Sequence, residues 1–221
     1  MDRKLIDYKQ ILYVIEFLND CVGSWELPHV KRNTLPSLND LGVIPFDNAN
    51  PQKIPNSQKI VHFFIDDYKF ESVYKYPERH LRKLAYYSHV LSPDFSLYAD
   101  YPRSVQLLNT FKNRWCGAYW QKLGLSVFPT ITWGDEDSFE FCFQGVDKGS
   151  IVAISTIGCK EYSSAFLSGY QEMMKQIEPQ YVLCFGMPFN EMESNTIYID
   201  CEKFPKKEKN KWVEEAPELG I

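Results

Sequence analysis

The chain has 221 residues, 44% of them hydrophobic and 15% aromatic, enough for one α/β domain with at most a small appendage. Its net charge of -5 gives no general attraction to nucleic-acid phosphates, so non-specific nucleic-acid binding is not expected. No uninterrupted apolar stretch could cross a bilayer, and the opening MDRKLIDYKQ is too charged to read as a secretory signal.

Residues 1–22 read as an N-terminal amphipathic helix, with Leu5, Tyr8, Leu12, Ile15 and Leu18 at helical spacing. It either packs on the domain or serves self-association or a partner. Residues 23–57 carry Pro28, Pro36, Pro45, Pro51 and Pro55 among Asn, Asp and Ser, which predicts an extended, turn-rich arm. The arm is expected to be ordered, with a short strand at Val43 to Phe46, because Trp25, Leu27, Leu35, Leu38, Val43, Ile44 and Phe46 need burial.

Residues 58–201 form the expected core. Strand Ile60 to Ile65 ends at Asp66-Asp67, and a helix from Pro77 to Ser88 opens with proline where the missing N–H costs nothing. Strand His89 to Leu91 ends at Pro93-Asp94-Phe95-Ser96. A long helix from Pro102 to Leu123 follows, with a stripe of Val105, Leu108, Phe111, Trp115, Tyr119 and Leu123, and closes at Gly124. Strand Ser126 to Thr132 precedes a short helix over Ser138 to Gly145, a stretch whose alternating Phe139, Phe141 and Phe143 could also read as a strand. Strand Ile151 to Ile154, helix Ser164 to Ile177, strand Tyr181 to Phe185 and a last strand from Thr196 to Asp200 complete the pattern. Residues 202–221 read as a charged, mobile tail.

Strands that alternate with helices predict an α/β fold with a mostly parallel sheet and right-handed crossovers. The strands are too few for a full eight-stranded barrel, and no glycine-rich dinucleotide turn follows any of them. An incomplete or irregular (β/α) barrel-like sheet is therefore expected, with an open doubly wound sheet as the alternative. In either case the carboxyl ends of the strands mark the site.

Several groups fall at those ends. Asp66 and Asp94 would lie on neighbouring strands, ~5 to 10 Å apart at normal strand spacing, and could divide acid and base roles or share a metal ion. The other reading is that each caps the turn after its strand. Ser155, Thr156 and Gly158 form a turn between strand and helix whose N–H groups could hold an anion, although the lysine of a P-loop is missing. Thr132 and Trp133 end another strand, where the indole could stack on a planar ligand or close the core. Arg114 could reach a phosphate or pair with a carboxylate, as could Arg79, Arg82 and Arg103. Cys159 beside Lys160 has a setting for a lowered thiol pKa, or is inert.

The other five cysteines (Cys21, Cys116, Cys142, Cys184 and Cys201) sit mostly in apolar surroundings. With no CxxC or Cys/His ligand spacing they give no support to structural zinc, and they point to a reduced, cytoplasmic protein. The four histidines make no constellation. No nucleophile elbow, HExxH or dinucleotide fingerprint is present, so no cofactor is indicated and enzymatic activity is left open.

Several longer stretches resemble a known bacterial family. They are LSPDFSLYADYPRSVQLLNTFKNRWCGAYWQKLGLSVFPTITWG, GSIVAISTIG, FLSGYQEMM and IEPQYVLCFG. The family is known only as domain of unknown function 4417, and the resemblance runs from about Leu35 to Gly186. Its most specific parts are Pro93 to Ser96, Arg114 with Tyr119-Trp120-Gln121, Pro129-Thr130 with Trp133, Ser155-Thr156 with Gly158, and Phe185-Gly186. The resemblance implies a phage or mobile-element setting and brings no chemistry with it.

Two functions are then expected. One is an accessory protein that binds a host or element protein, for example to inhibit host defence, or a small anionic ligand, at the strand ends. The alternative is a small-molecule or nucleotide-processing enzyme. For either, Asp66 and Asp94 are the catalytic candidates, and Ser96, Asp100, Arg114, Thr132, Trp133, Ser155, Thr156, Gly158 and Gly186 are the ligand contacts.

Overall fold

Strand runs rich in valine, isoleucine and phenylalanine set the architecture, because such runs stay stable only when covered on both faces. The computed structural model describes residues 20–34, 42–50 and 56–200. The expected amphipathic helix and charged tail lie outside these residues, as do Leu35 and Leu38. A hairpin of β1 (Cys21–Val22) and β2 (Leu27–Pro28) is the one antiparallel pair among the described residues.

All the remaining strand pairs are parallel. Strands β3 (Gly42–Pro45), β4 (Asn56–His62), β5 (Tyr87–Leu91) and β6 (Val127–Phe128) form one sheet in chain order. Strands β7 (Ile151–Ser155), β8 (Tyr181–Phe185) and β9 (Thr196–Ile199) form the second. A single parallel bridge, Thr130 to Ala153, joins them. There Ile131 N donates to Ala153 O at 2.8 Å, and Ala153 N donates to Pro129 O at 2.9 Å.

Three of the connections are helical, as the alternation predicted. Helices α1 (Ser72–Lys75) and α2 (Pro77–Leu84) link β4 to β5, and α3 (Arg103–Lys122) links β5 to β6. Helix α4 (Ser163–Ile177) links β7 to β8. Between β6 and β7 the expected short helix is a single 3-10 stretch, Glu136–Glu140, followed by turns that bury Phe141 and Phe143.

The sheet is rolled. His62 on β4 and Phe185 on β8 stand four strand positions apart, which would be ~19 Å in a flat sheet. Their rings nevertheless lie 5.0 Å apart, and Phe64 lies 4.6 Å from Phe185. The expected barrel-like curl is therefore present. No pairing joins β9 to β3 among the described residues, so the barrel is not closed. Alternation along the strands places Ile60, His62, His89, Leu91, Phe128, Ala153, Leu183 and Phe185 inside the curl, all buried.

Two layers cover the outer face. Phe63, Val90, Trp115, Tyr119 and Trp120 fill the space under α1 to α3, and Val152, Ile154 and Val182 meet Tyr170, Met173 and Ile177 of α4. The stripe expected on α3 is only half right. Trp115 and Tyr119 are buried, but Val105, Leu108 and Leu123 are exposed. From Gln106 to Arg114, α3 turns inward a polar face of Gln106, Asn109, Thr110, Asn113 and Arg114. The reason is local: the loops above it need hydrogen-bond donors, which an apolar stripe cannot supply.

Candidate functional site

The carboxyl ends of β4 to β7 open into one cleft of about 460 Å³. Its floor and walls come from four connections and one helix. Phe64, Ile65 and Asp66 follow β4, and Asp94, Ser96, Leu97 and Tyr98 follow β5. Ile131, Thr132 and Trp133 follow β6, Ser155, Ile157 and Cys159 come from β7 and its turn, and Phe166 comes from α4.

Three aspartates meet this edge and differ in state. Asp94 accepts a very short hydrogen bond from the Thr132 hydroxyl on Oδ1. Burial pushes its pKa up to about 6, the nearby Asp67 adds to the rise, and the Thr132 hydroxyl opposes it. Asp67 is engaged in the loop, accepting from Ser96 Oγ at 2.8 Å and Ser96 N at 3.1 Å. Asp66 stands at the exposed rim, 2.7 Å from Lys69 Nζ, whose hydrogen bond holds its carboxyl below the usual range. Environment has thus separated the roles of carboxylates that look alike in sequence.

Trp133 is fixed by a close approach to α4. A Cβ on Gly169 would lie 2.2 Å from the indole Nε1, so only glycine leaves room for the ring. Phe166, with ring centroid 4.8 Å away, and Phe143, at 6.0 Å, flank it. Trp133 therefore both packs on the core and faces the cleft. A glycine in the middle of a helical pattern is the sequence signal that could have found this pairing.

The long helix holds the loops from behind. Asn109 Nδ2 donates to Ser96 O at 2.8 Å, and Asn113 Nδ2 donates to Pro93 O at 2.7 Å and Thr130 O at 3.2 Å. Arg114 donates to the carbonyls of Gln144 at 2.9 Å, Thr130 at 3.0 Å and Cys142 at 2.6 Å, and to Asn113 Oδ1 at 2.6 Å. Burial pulls its pKa down to about 10, which leaves it charged at neutral pH. Arg114 is fully buried and does not line the cleft; its donors hold together three carbonyls of the connection between β6 and β7. Arg103, by contrast, pairs with Glu140 at 2.5 Å.

The remaining sequence candidates divide. Ser96, Thr132 and Ser155 join Asp66, Asp94 and Trp133 in the cleft, whereas Asp100, Thr156, Gly158 and Gly186 do not line it. Asp100 is exposed in a turn. Thr156 is buried and donates to Met187 O at 3.0 Å, and a Cβ on Gly186 (φ +97°) would lie 2.7 Å from its hydroxyl. Gly186 is therefore needed for backbone shape. In the turn after β7, Thr156 N donates to Phe185 O, Ile157 N to Ser155 Oγ and Cys159 N to Thr156 O, so these N–H groups are already engaged. Cys159 does face the cleft, but burial and the Asp94 charge raise its pKa, against the lowered value considered from sequence.

Sequence reasoning missed Phe64, Tyr98, Ile131 and Phe166, which line the cleft as apolar walls and carry no motif. Among the described residues, no cluster of three or more His, Cys, Asp or Glu is placed to hold a metal ion. No helix among them is long and apolar enough to cross a membrane.

A parallel, partly rolled α/β sheet with a cleft at its carboxyl edge is thus the class that fold and site define. The chain belongs to the family described as Domain of unknown function (DUF4417), which matches residues 19–203. It is similar to the Gene 1 protein of Mycobacterium phage D29, 38% identical over 170 residues that make up 72% of this chain and 62% of that one. It is also similar to the Gene 1 protein of Mycobacterium phage L5, 43% identical over 129 residues, or 57% of this chain and 56% of that one. The matches thus span about three-fifths of the length of these relatives, which place the family among phages. No solved structure matches.

Proposed function

We propose that this phage-associated protein works by binding, and that the carboxyl-edge cleft is its recognition site. The ligand presents a hydrogen-bond donor to Asp94 and a planar or apolar face to Trp133, Phe166 and Phe64. One observation carries this reading: Asp94, Thr132, Trp133 and Ser155, from three separate strand ends, line a single cleft with the volume of a ligand site. The occupant is a small molecule or part of a host or phage protein, a component of host defence being one such protein.

Titration with a panel of amines, amino acids and nucleosides tests the reading, with Trp133 fluorescence as the signal. A saturable change is expected that Trp133→Phe removes and Asp94→Asn weakens at least tenfold. Binding that ignores both substitutions, or no saturation with any compound, would sink it.

A second reading, an enzyme using Asp94 as acid or base, is favoured by one feature. The Asp94 carboxyl near 6 stands in the cleft with the Ser155 hydroxyl. Turnover of a bound compound whose rate follows a single ionisation near pH 6, absent in Asp94→Asn, would establish it.

A further inference from the structure

Every large apolar side chain more than half exposed among the described residues lies in a connection leaving the carboxyl end of a strand. They are Tyr68 (77%), Met187 (71%), Tyr162 (70%), Ile157 (57%) and Tyr98 (56%). Tyr98 and Ile157 line the cleft itself, Tyr68 follows the rim residue Asp66, and Tyr162 lies between the cleft residues Cys159 and Phe166. A ligand confined to the cleft would leave most of this apolar rim in water, whereas a larger partner would cover it.

Charge inside the cleft narrows the partner further. Asp66 and Asp94 line it, and no lysine or arginine does. The rim cation Lys69 is already tied to Asp66. Asp94 spends Oδ1 on the Thr132 hydroxyl, and its Oδ2 has no hydrogen-bond partner among the described residues. The Asp94 carboxylate lines a chamber shared with Phe64, Tyr98, Trp133 and Phe166, and aromatic ring faces attract cations. A phosphate chain would meet acid without a compensating base, so a nucleic-acid strand fits poorly. A guanidinium suits both features, because its plane stacks on aromatic rings while its N–H groups reach a carboxylate.

We propose that the cleft receives an arginine side chain of a partner polypeptide, whose flanking apolar residues lie on the rim of Tyr68, Tyr98, Ile157, Tyr162 and Met187. The proposal rests on the cleft being a recognition site, and it names the occupant. The small anionic ligand expected from sequence is the alternative that the acidic lining disfavours.

Four probes test it on the full chain, read by Trp133 fluorescence against Trp133→Phe. They are capped arginine, capped citrulline (its uncharged isostere), a capped peptide with leucines on both sides of one arginine, and adenosine. Arginine is expected to bind at least tenfold more tightly than citrulline, and Asp94→Asn to bring the two within twofold. The peptide is expected to bind at least tenfold more tightly than capped arginine, a gain lost in the double variant Tyr68→Ser, Tyr162→Ser. These two side chains are exposed, so that variant keeps its fold.

Equal binding of arginine and citrulline would overturn the cationic occupant while leaving a recognition site in place. Equal binding of peptide and capped arginine would overturn the polypeptide and leave a small cation. Saturation by adenosine alone would overturn the inference and keep the cleft. No saturation by any probe would remove both the inference and the site beneath it.

Discussion

Helices α3 and α4 cover the same rolled sheet, yet they do so with opposite chemistry. Helix α4 buries Gly169, Tyr170, Met173 and Ile177, an ordinary apolar face against Val152, Ile154 and Val182. The stretch of α3 from Gln106 to Arg114 buries amides, a hydroxyl and a guanidinium, and most of the bonds they donate go to carbonyls of the loops that form the cleft and its surroundings. One helix stabilises the sheet by excluding water; the other fixes loop positions by pairing buried backbone groups. The difference locates the function, since directional bonds hold a loop in one geometry and hydrophobic contact does not.

Arg114→Met breaks this comparison most severely. It leaves the carbonyls of Gln144 and Cys142 without the guanidinium donors and removes one donor from Thr130, each unmet buried group costing ~1–3 kcal/mol. A loss of about 4 kcal/mol is expected in urea denaturation, with Trp133 fluorescence altered even where the protein remains folded. Met173→Ala is the matching change on α4 and costs about 3 kcal/mol through the cavity it leaves. In folded Met173→Ala protein, Trp133 emission and ligand response should stay as in the parent. If both variants perturb the cleft alike, the division of labour between the helices is wrong.

The sequence announced the cleft better than it announced its frame. Apolar runs that end in Asp66, Asp94, Thr132 and Ser155 are a local signal, because strand burial and strand ends follow from composition. The parallel order then brings those ends together. Helical spacing alone pointed to Val105 and Leu108 as the inner face of α3, and it failed because hydrophobicity is not the only reason to bury a residue. Arg114 read as a ligand or surface contact because its carbonyl partners at Cys142 and Gln144 lie about thirty positions away along the chain. Nothing in single-chain periodicity reports such bonds. Gly169, a glycine inside a helical pattern, drew no reading from the sequence, and it acquires meaning only once α4 lies beside the β6 connection and Trp133.

His62 sharpens the contrast from inside the curl, where a buried polar group is left without a partner. Its Nδ1 is buried and unpaired, and burial lowers its pKa to about 4. The unfolded chain takes up a proton near pH 6.5 while the folded protein resists until about 4, so the fold loses stability as pH falls across that window. The loss approaches about 3 kcal/mol at the acid end, by the usual value per pKa unit. Asp94 acts in the opposite direction: its raised pKa makes its burial costly above pH 6 and relieves it below. His62→Leu should therefore shift the acid-unfolding midpoint downward, and an unchanged midpoint would remove His62 from the account.

Asn109→Ala has the smallest expected effect and isolates the argument best. Asn109 donates to Ser96 O at 2.8 Å, while Ser96 N and Oγ remain held by Asp67, so one of three bonds to that loop residue is removed. Because only one neutral hydrogen bond is lost from this buried side chain, the stability change should be about 1 kcal/mol. Its consequence should be local, with faster hydrogen exchange at the Ser96 amide and looser binding in the cleft, and β7 to β9 unaffected. Gln171→Ala on the exposed side of α4 is the control, expected within about 0.5 kcal/mol of the parent and silent at Ser96. Should Asn109→Ala prove as silent at Ser96 as the control, the polar face of α3 would be a packing feature, and the cleft would owe its shape to the strands alone.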